Sequence, residues 1–139
     1  TEHSIVHGGF QSMPLLYTNI GGVRNSEATL TLTSPRDWTA EGVGILSLWF
    51  RGESANTAEP LYISLSNATG TPAVVANRDS NAAQAGVWTE WRIALQDFSN
   101  KGINLTNVDK IAIGLGSKGG VAPGGSGTMY IDDIRLYRP

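Results

Sequence analysis

The sequence predicts an all-β fold, a sandwich or barrel, and three observations carry that expectation. Apolar and polar residues alternate with a period of two in run after run, each run closed by turn residues. Seventeen Gly and six Pro lie among 139 residues without a strict period, which excludes collagen and favours a turn-rich chain. No long window carries the i, i+3, i+4, i+7 stripe that lets a helix bury one face.

Seven strands are expected, at 11–17, 28–33, 44–51, 61–66, 89–95, 110–116 and 129–137, and eight if the short run 73–76 is one. Gly21-Gly22, Ser34-Pro35 and the segments 67–72 and 119–127 separate them. Ser34 as N-cap and Pro35 at the first helical position predict one helical turn over 34–38, with Trp38 plugging one end of the fold. Within 44–51, Leu46, Leu48 and Phe50 share the core face, and Ile45, Ser47, Trp49 and Arg51 share the other. Leu61, Ile63 and Leu65 are expected inside, with Tyr62, Ser64 and Ser66 outside. Trp91, Ile93 and Leu95 point inward, and Glu90, Arg92 and Ala94 outward; Trp88, just before that strand, is open between core and surface. In the last strand Asp132 has the parity of Ile134 and Leu136, which reads as inward. A buried carboxylate needs a cation or a paired Arg, and calcium suits carboxylate and carbonyl oxygens.

Ten basic and twelve acidic side chains leave a net charge of −2. Nucleic acid and anionic lipid both need a basic patch, so neither is expected as a partner. Charged residues make up only 16% of the chain, and its polarity comes largely from Ser, Thr, Asn and Gly, a surface suited to neutral polar ligands. No run of about 18 apolar residues exists, so membrane insertion is not expected. The absence of Cys excludes disulfides and thiolate chemistry. The opening residues lack a basic n-region and an apolar h-region, so a signal peptide is not expected in the chain. The length fits one domain over 1–139.

Few motifs carry chemistry. Gly114, Gly116 and Gly119 match G-x-G-x-x-G, but glycine and proline follow where a dinucleotide site needs a helix. His3 and His7 are the only histidines, too few for a zinc site by themselves. Asp132 and Asp133 are adjacent and face opposite ways, so they do not form an acid/base pair for glycoside hydrolysis. Trp49 has the best case for a ligand among four Trp, because the other face of its strand already supplies core. An indole stacks on the C–H face of a sugar while Arg, Asn and carboxylates bond its hydroxyls. If strands 44–51 and 61–66 are antiparallel neighbours, Trp49, Arg51 and Tyr62 share one outer face.

Three segments together resemble the calcium-containing β-jelly-roll carbohydrate-binding modules of the galactose-binding-like superfamily. They are 5–13 around His7-Gly8-Gly9, 88–98 from Trp88 to Phe98, and 129–136 with Tyr130-Ile131-Asp132-Asp133. The resemblance implies a sandwich of two antiparallel sheets, a jelly roll. It implies structural calcium held by Asp132 and the carbonyls around His7 to Gly9. A glutamate from an earlier strand usually completes that set. The chain starts after that point, and Glu2 is the only early acid, so the usual first strand is expected to be lacking.

The expected function is a non-catalytic module that binds a polysaccharide or oligosaccharide. It would target an appended enzyme or surface protein to glycan, within a larger multidomain, secreted bacterial protein. The expected sugar-binding residues are Trp49, Arg51, Tyr62, Arg92 and Asn77. The alternative is a structural or adhesive sandwich of a secreted or cell-surface protein, with no glycan affinity. An enzyme is not expected, because no recognisable nucleophile or acid/base constellation is present.

Overall fold

The computed structural model describes residues 13–18, 25–39, 42–116 and 126–138. Two four-stranded antiparallel sheets form a jelly-roll sandwich. One sheet is ordered β1 (Met13–Thr18), β8 (Ser126–Tyr137), β3 (Ile45–Arg51), β6 (Thr89–Ala94). The other is ordered β2 (Asn25–Arg36), β7 (Val108–Gly116), β4 (Leu61–Ser66), β5 (Ala73–Ala76). A short helix α1 (Leu95–Ser99) follows β6, and 3-10 turns lie at Ala82–Gln84 and Leu105–Asn107.

The alternation in the sequence makes the core. Leu46, Leu48, Phe50, Ile93, Met129 and Ile131 come from the first sheet. Leu61, Ile63, Leu65, Ile111, Ile113 and Leu115 come from the second. Each is nearly or fully buried, and each such side chain contributes about 1.5–3 kcal/mol of hydrophobic stabilisation. Trp38 joins this core, and its amide donates to the Leu105 carbonyl at 2.8 Å.

Three local expectations are corrected. The helical turn over 34–38 is absent: Ser34, Pro35 and Arg36 continue β2, and the turn comes later, where the Asp37 Oδ1 accepts from the Thr39 amide at 2.8 Å. Proline is tolerated there because β2 is an edge strand and its pairing with β7 shifts register between Thr31 and Arg36. Strand β6 stops at Ala94, and α1 begins at Leu95. Leu95 and Phe98, spaced i, i+3, both bury on one helical face, while Ile93 and Leu95 alone also fit strand alternation.

The third correction concerns β8. Ser47 pairs with Arg135 but Trp49 pairs with Asp132, so β8 carries an extra residue there. Asp133 takes up the bulge at φ 49°, a left-handed conformation that Asp tolerates better than most residues. The bulge breaks the alternation. Asp132 therefore does not share the face of Leu136, which pairs with the core residue Leu46; it stands opposite Trp49 on the outer face. Ile134 and Leu136, whose parity suggested an inward Asp132, are themselves exposed.

One loop crossing is closed by close contact. A Cβ on Gly52 would lie 1.8 Å from the Ala83 carbonyl oxygen, so only glycine fits. Asn56, buried nearby, donates through Nδ2 to the carbonyls of Ala83 (2.7 Å) and Thr128 (2.8 Å), and its Oδ1 accepts from the Thr128 amide at 3.1 Å. The loop after β3, the 82–84 turn and the start of β8 are thereby fastened together.

Candidate functional site

The outer face of the β1–β8–β3–β6 sheet collects the polar and aromatic side chains that the core excludes. Register gives its rows. Arg51 is opposite Tyr130 on β8. Trp49 stands between Asp132 on β8 and Glu90 on β6. Ser47 stands between Arg135 and Arg92, and Ile45 between Tyr137 and Ala94. Trp88, half-buried, directly precedes Thr89, the partner of Phe50, and so lies at the Arg51 end of the face.

Polar contacts fix several of these groups. Ser47 donates from Oγ to Glu90 Oε2 at 2.7 Å, and Arg92 Nε lies 3.6 Å from the same carboxylate. The Arg92 guanidinium also sits over the Tyr137 ring, 5.4 Å from its centroid. Asp132 Oδ1 accepts from the Asp133 amide at 2.8 Å, and Arg135 reaches Asp133 Oδ1 at 3.4 Å. Arg51 differs from these. Its side chain is half-buried, and its Nε is buried with no hydrogen-bond partner among the described residues. A donor left in that state costs about 1–3 kcal/mol.

The expected trio of Trp49, Arg51 and Tyr62 is broken by topology. Strands β3 and β4 belong to different sheets, so Tyr62 is on the opposite side of the molecule. Tyr62 is also only 1% exposed. Its ring lies over Gly114, where a Cβ would come within 2.4 Å of the phenol oxygen, and its hydroxyl donates to Glu27 Oε2 at 2.5 Å. It is a packing residue with no ring face left for a sugar.

Arg92 is on the sheet face, at the edge strand. Asn77 is not; it follows β5 and lines, together with Arg92, an open cleft of about 370 Å³ between β5 and β6. Trp88, Tyr130, Glu90 and Asp132 also belong to the sheet face; Glu90 was expected to point outward, but none of the four was named as a sugar-binding residue. Strand register, not spacing along the chain, brings them to one face.

His7 and Gly9 lie outside the described residues, as do residues 117–125 of the glycine-rich segment. Among the described residues no three His, Cys, Asp or Glu side chains converge to hold a metal ion. Asp132 stands half-buried on the outer face, and the carbonyls around His7 to Gly9 expected beside it lie outside the described residues.

Its fold is shared with carbohydrate-binding modules. The family 30 carbohydrate-binding module of a cellulosomal cellulase of Clostridium thermocellum is similar over 99% of this chain and 80% of its own, with a TM-score of 0.71 and 17% identity. A family 11 module from Clostridium thermocellum, solved in complex with a β-1,3-1,4-mixed-linked tetrasaccharide, is similar over 94% of this chain and 77% of its own, with a TM-score of 0.62 and 15% identity. An exo-β-agarase is similar over 92% of this chain but only 21% of its own, with a TM-score of 0.67 and 11% identity. No protein-family model matches the sequence, and no curated protein matches it. At these identities the likeness establishes architecture, and fold alone does not fix function.

Proposed function

We propose that the chain is a non-catalytic module that binds a neutral glycan across the outer face of the β1–β8–β3–β6 sheet. The observation that carries this reading is Arg51. Its Nε is a buried donor without a partner among the described residues, and its strand position is on the face that also holds Trp49. Sugar hydroxyls supply the missing acceptors, and the indole supplies a surface for the C–H face of a pyranose. Glu90 and Asp132 flank Trp49 and add acceptors for hydroxyl protons. The shared architecture with carbohydrate-binding modules supports the same reading.

The module's role is then to hold a tethered partner near its polysaccharide, raising the effective concentration of whatever is attached. A larger, extracellular bacterial protein is the setting this implies. No helix among the described residues is long and apolar enough to cross a membrane. Calcium is a separate proposal, resting on the sequence resemblance at Asp132 and the His7 to Gly9 carbonyls; a fall in Tm on adding a chelator tests it.

The test is isothermal titration of the intact chain against mixed-linkage β-glucan, cellulose oligosaccharides and agarose, at low and high salt. Binding that varies little with salt is expected for a neutral ligand. Failure to bind any polysaccharide in a broad panel would overturn the reading. Release of reducing sugar from any of them would overturn its non-catalytic part.

A further inference from the structure

We propose that the cleft between β5 and β6 is a second sugar-binding site, distinct from the sheet face, that takes a single pyranose unit. The inference rests on the cleft's own chemistry and holds whether or not the sheet face binds glycan.

The cleft arises because the sandwich ends there. β6 is the last strand of one sheet and β5 the last of the other. β5 is only four residues long, and α1 packs against it from the end of β6. Trp91 has the inward parity of Ile93, yet on an edge strand the opposing sheet does not roof it fully. It packs against the core and remains half-buried, lining the cleft beside Val75 and Ile93. The floor is therefore apolar and carries an indole.

The rim is polar and carries both hydrogen-bonding roles. Asn77, Arg78 and Arg92 bring donors, and Asp97 on α1 brings acceptors. Arg78 and Asp97 are exposed and have no ion-pair or hydrogen-bond partner among the described residues. Asn77 is held in place by its backbone. Its amide donates to the Leu61 carbonyl at 2.7 Å, and its Oδ1 accepts from the Asp79 amide at 2.8 Å. Asp79 Oδ1 in turn accepts from the Asn81 amide at 2.9 Å, so the segment after β5 is a fixed pair of turns. Preorganisation of this kind lowers the ordering cost of binding.

This combination selects a ligand class. An apolar ligand would strip water from Asp97 and Arg78 without replacing it. An anionic one would find Arg92 already beside Glu90 and Arg78 offset by Asp97. A polyol with one C–H face uses the indole and both donor and acceptor sides of the rim. The volume of about 370 Å³ is at the lower end of ordinary small-molecule pockets, roughly 300–1,000 Å³. It suits one sugar unit, not an extended chain.

The experiment uses the intact, isotope-labelled chain and the methyl pyranosides of glucose, galactose, mannose and xylose. Proton–nitrogen spectra should show at least one of them shifting the Trp91 indole and the Asn77 and Arg78 amides in a saturable manner. Arg78→Ala and Asp97→Ala, both at exposed positions, should each weaken that binding about fivefold or more. Retention of polysaccharide, read separately with Trp49→Ala, reports on the sheet face. Loss of cleft shifts in Trp49→Ala would overturn a distinct second site and leave the sheet-face reading standing. The converse, cleft binding with polysaccharide retention indifferent to Trp49, would sustain the cleft and overturn the sheet face. No methyl pyranoside moving the cleft signals, or equal shifts in the Arg78→Ala/Asp97→Ala double variant, would overturn the proposal outright.

Discussion

Asp132 stands directly opposite Trp49 across the β3–β8 pair, placed there by the bulge at Asp133. The pairing turns a carboxylate that sequence parity assigns to the core into a neighbour of the indole. A ring flanked by acceptors binds a sugar by stacking and by directed hydrogen bonds together. Truncating the ring removes the first and unfixes the second. Trp49→Ala should weaken polysaccharide binding at least tenfold, about 1.4 kcal/mol. Asp132→Asn keeps one acceptor oxygen and should cost only a few-fold. Titration of both variants beside the parent checks the order; equal losses would show that the carboxylate's charge matters as much as stacking.

Tyr62 makes the opposite prediction. Its ring occupies the space that Gly114 leaves open, and its hydroxyl bonds Glu27. Gly114→Ala should push the ring out and destabilise the fold by about 1–3 kcal/mol, the usual range for overpacking. Tyr62→Phe should cost about 1 kcal/mol through the lost hydrogen bond. Urea unfolding measures both. Glycan affinity of Tyr62→Phe should match the parent, and a clear loss would return Tyr62 to the binding site.

The contrast between these residues shows what the sequence could carry. Alternation within a strand is local, so seven strands were legible with 73–76 left open as an eighth, and the core faces of β3 and β4 were legible from Leu46, Leu48, Phe50, Leu61, Ile63 and Leu65. Sheet membership is not local. Nothing in residues 44–66 states that β3 pairs with β6 and β8 while β4 pairs with β5 and β7. That fact separates Tyr62 from Trp49. The bulge in β8 is equally silent, because one extra residue moves Asp132 to the other face without altering composition. Trp91 was legible as core by parity, and its edge position, which leaves it half-buried, was not.

Asn56 is a polar residue whose burial is explained by its bonds. It accepts from Thr128 and donates to Ala83 and Thr128, and Gln84 donates to its carbonyl at 2.9 Å. Asn56→Ala would take three hydrogen bonds from the Thr128 amide, the Thr128 carbonyl and the Ala83 carbonyl, the last keeping only the Glu53 amide at 3.2 Å. At about 1 kcal/mol per net bond, a loss of roughly 3 kcal/mol is expected. Gly52→Ala, forcing a Cβ against the Ala83 oxygen, should be at least as damaging. Thermal unfolding followed by circular dichroism checks both, and a shift in Tm within error for Asn56→Ala would show that water replaces its bonds.

Arg51 separates stability from function. In the free protein its buried Nε has no partner among the described residues, so the side chain carries a desolvation cost that none of them offsets. Replacing it with an apolar chain of similar length removes that cost and retains the packing of its stem. Arg51→Met should therefore leave Tm unchanged or raise it. The same change removes the donors proposed to meet sugar hydroxyls, so affinity should fall about tenfold or more. Opposite signs in the two measurements are the result expected of a group held for a ligand at some expense to the fold. A fall in Tm with unchanged glycan affinity would instead make Arg51 a structural residue, and the sheet-face reading would lose the observation that carries it.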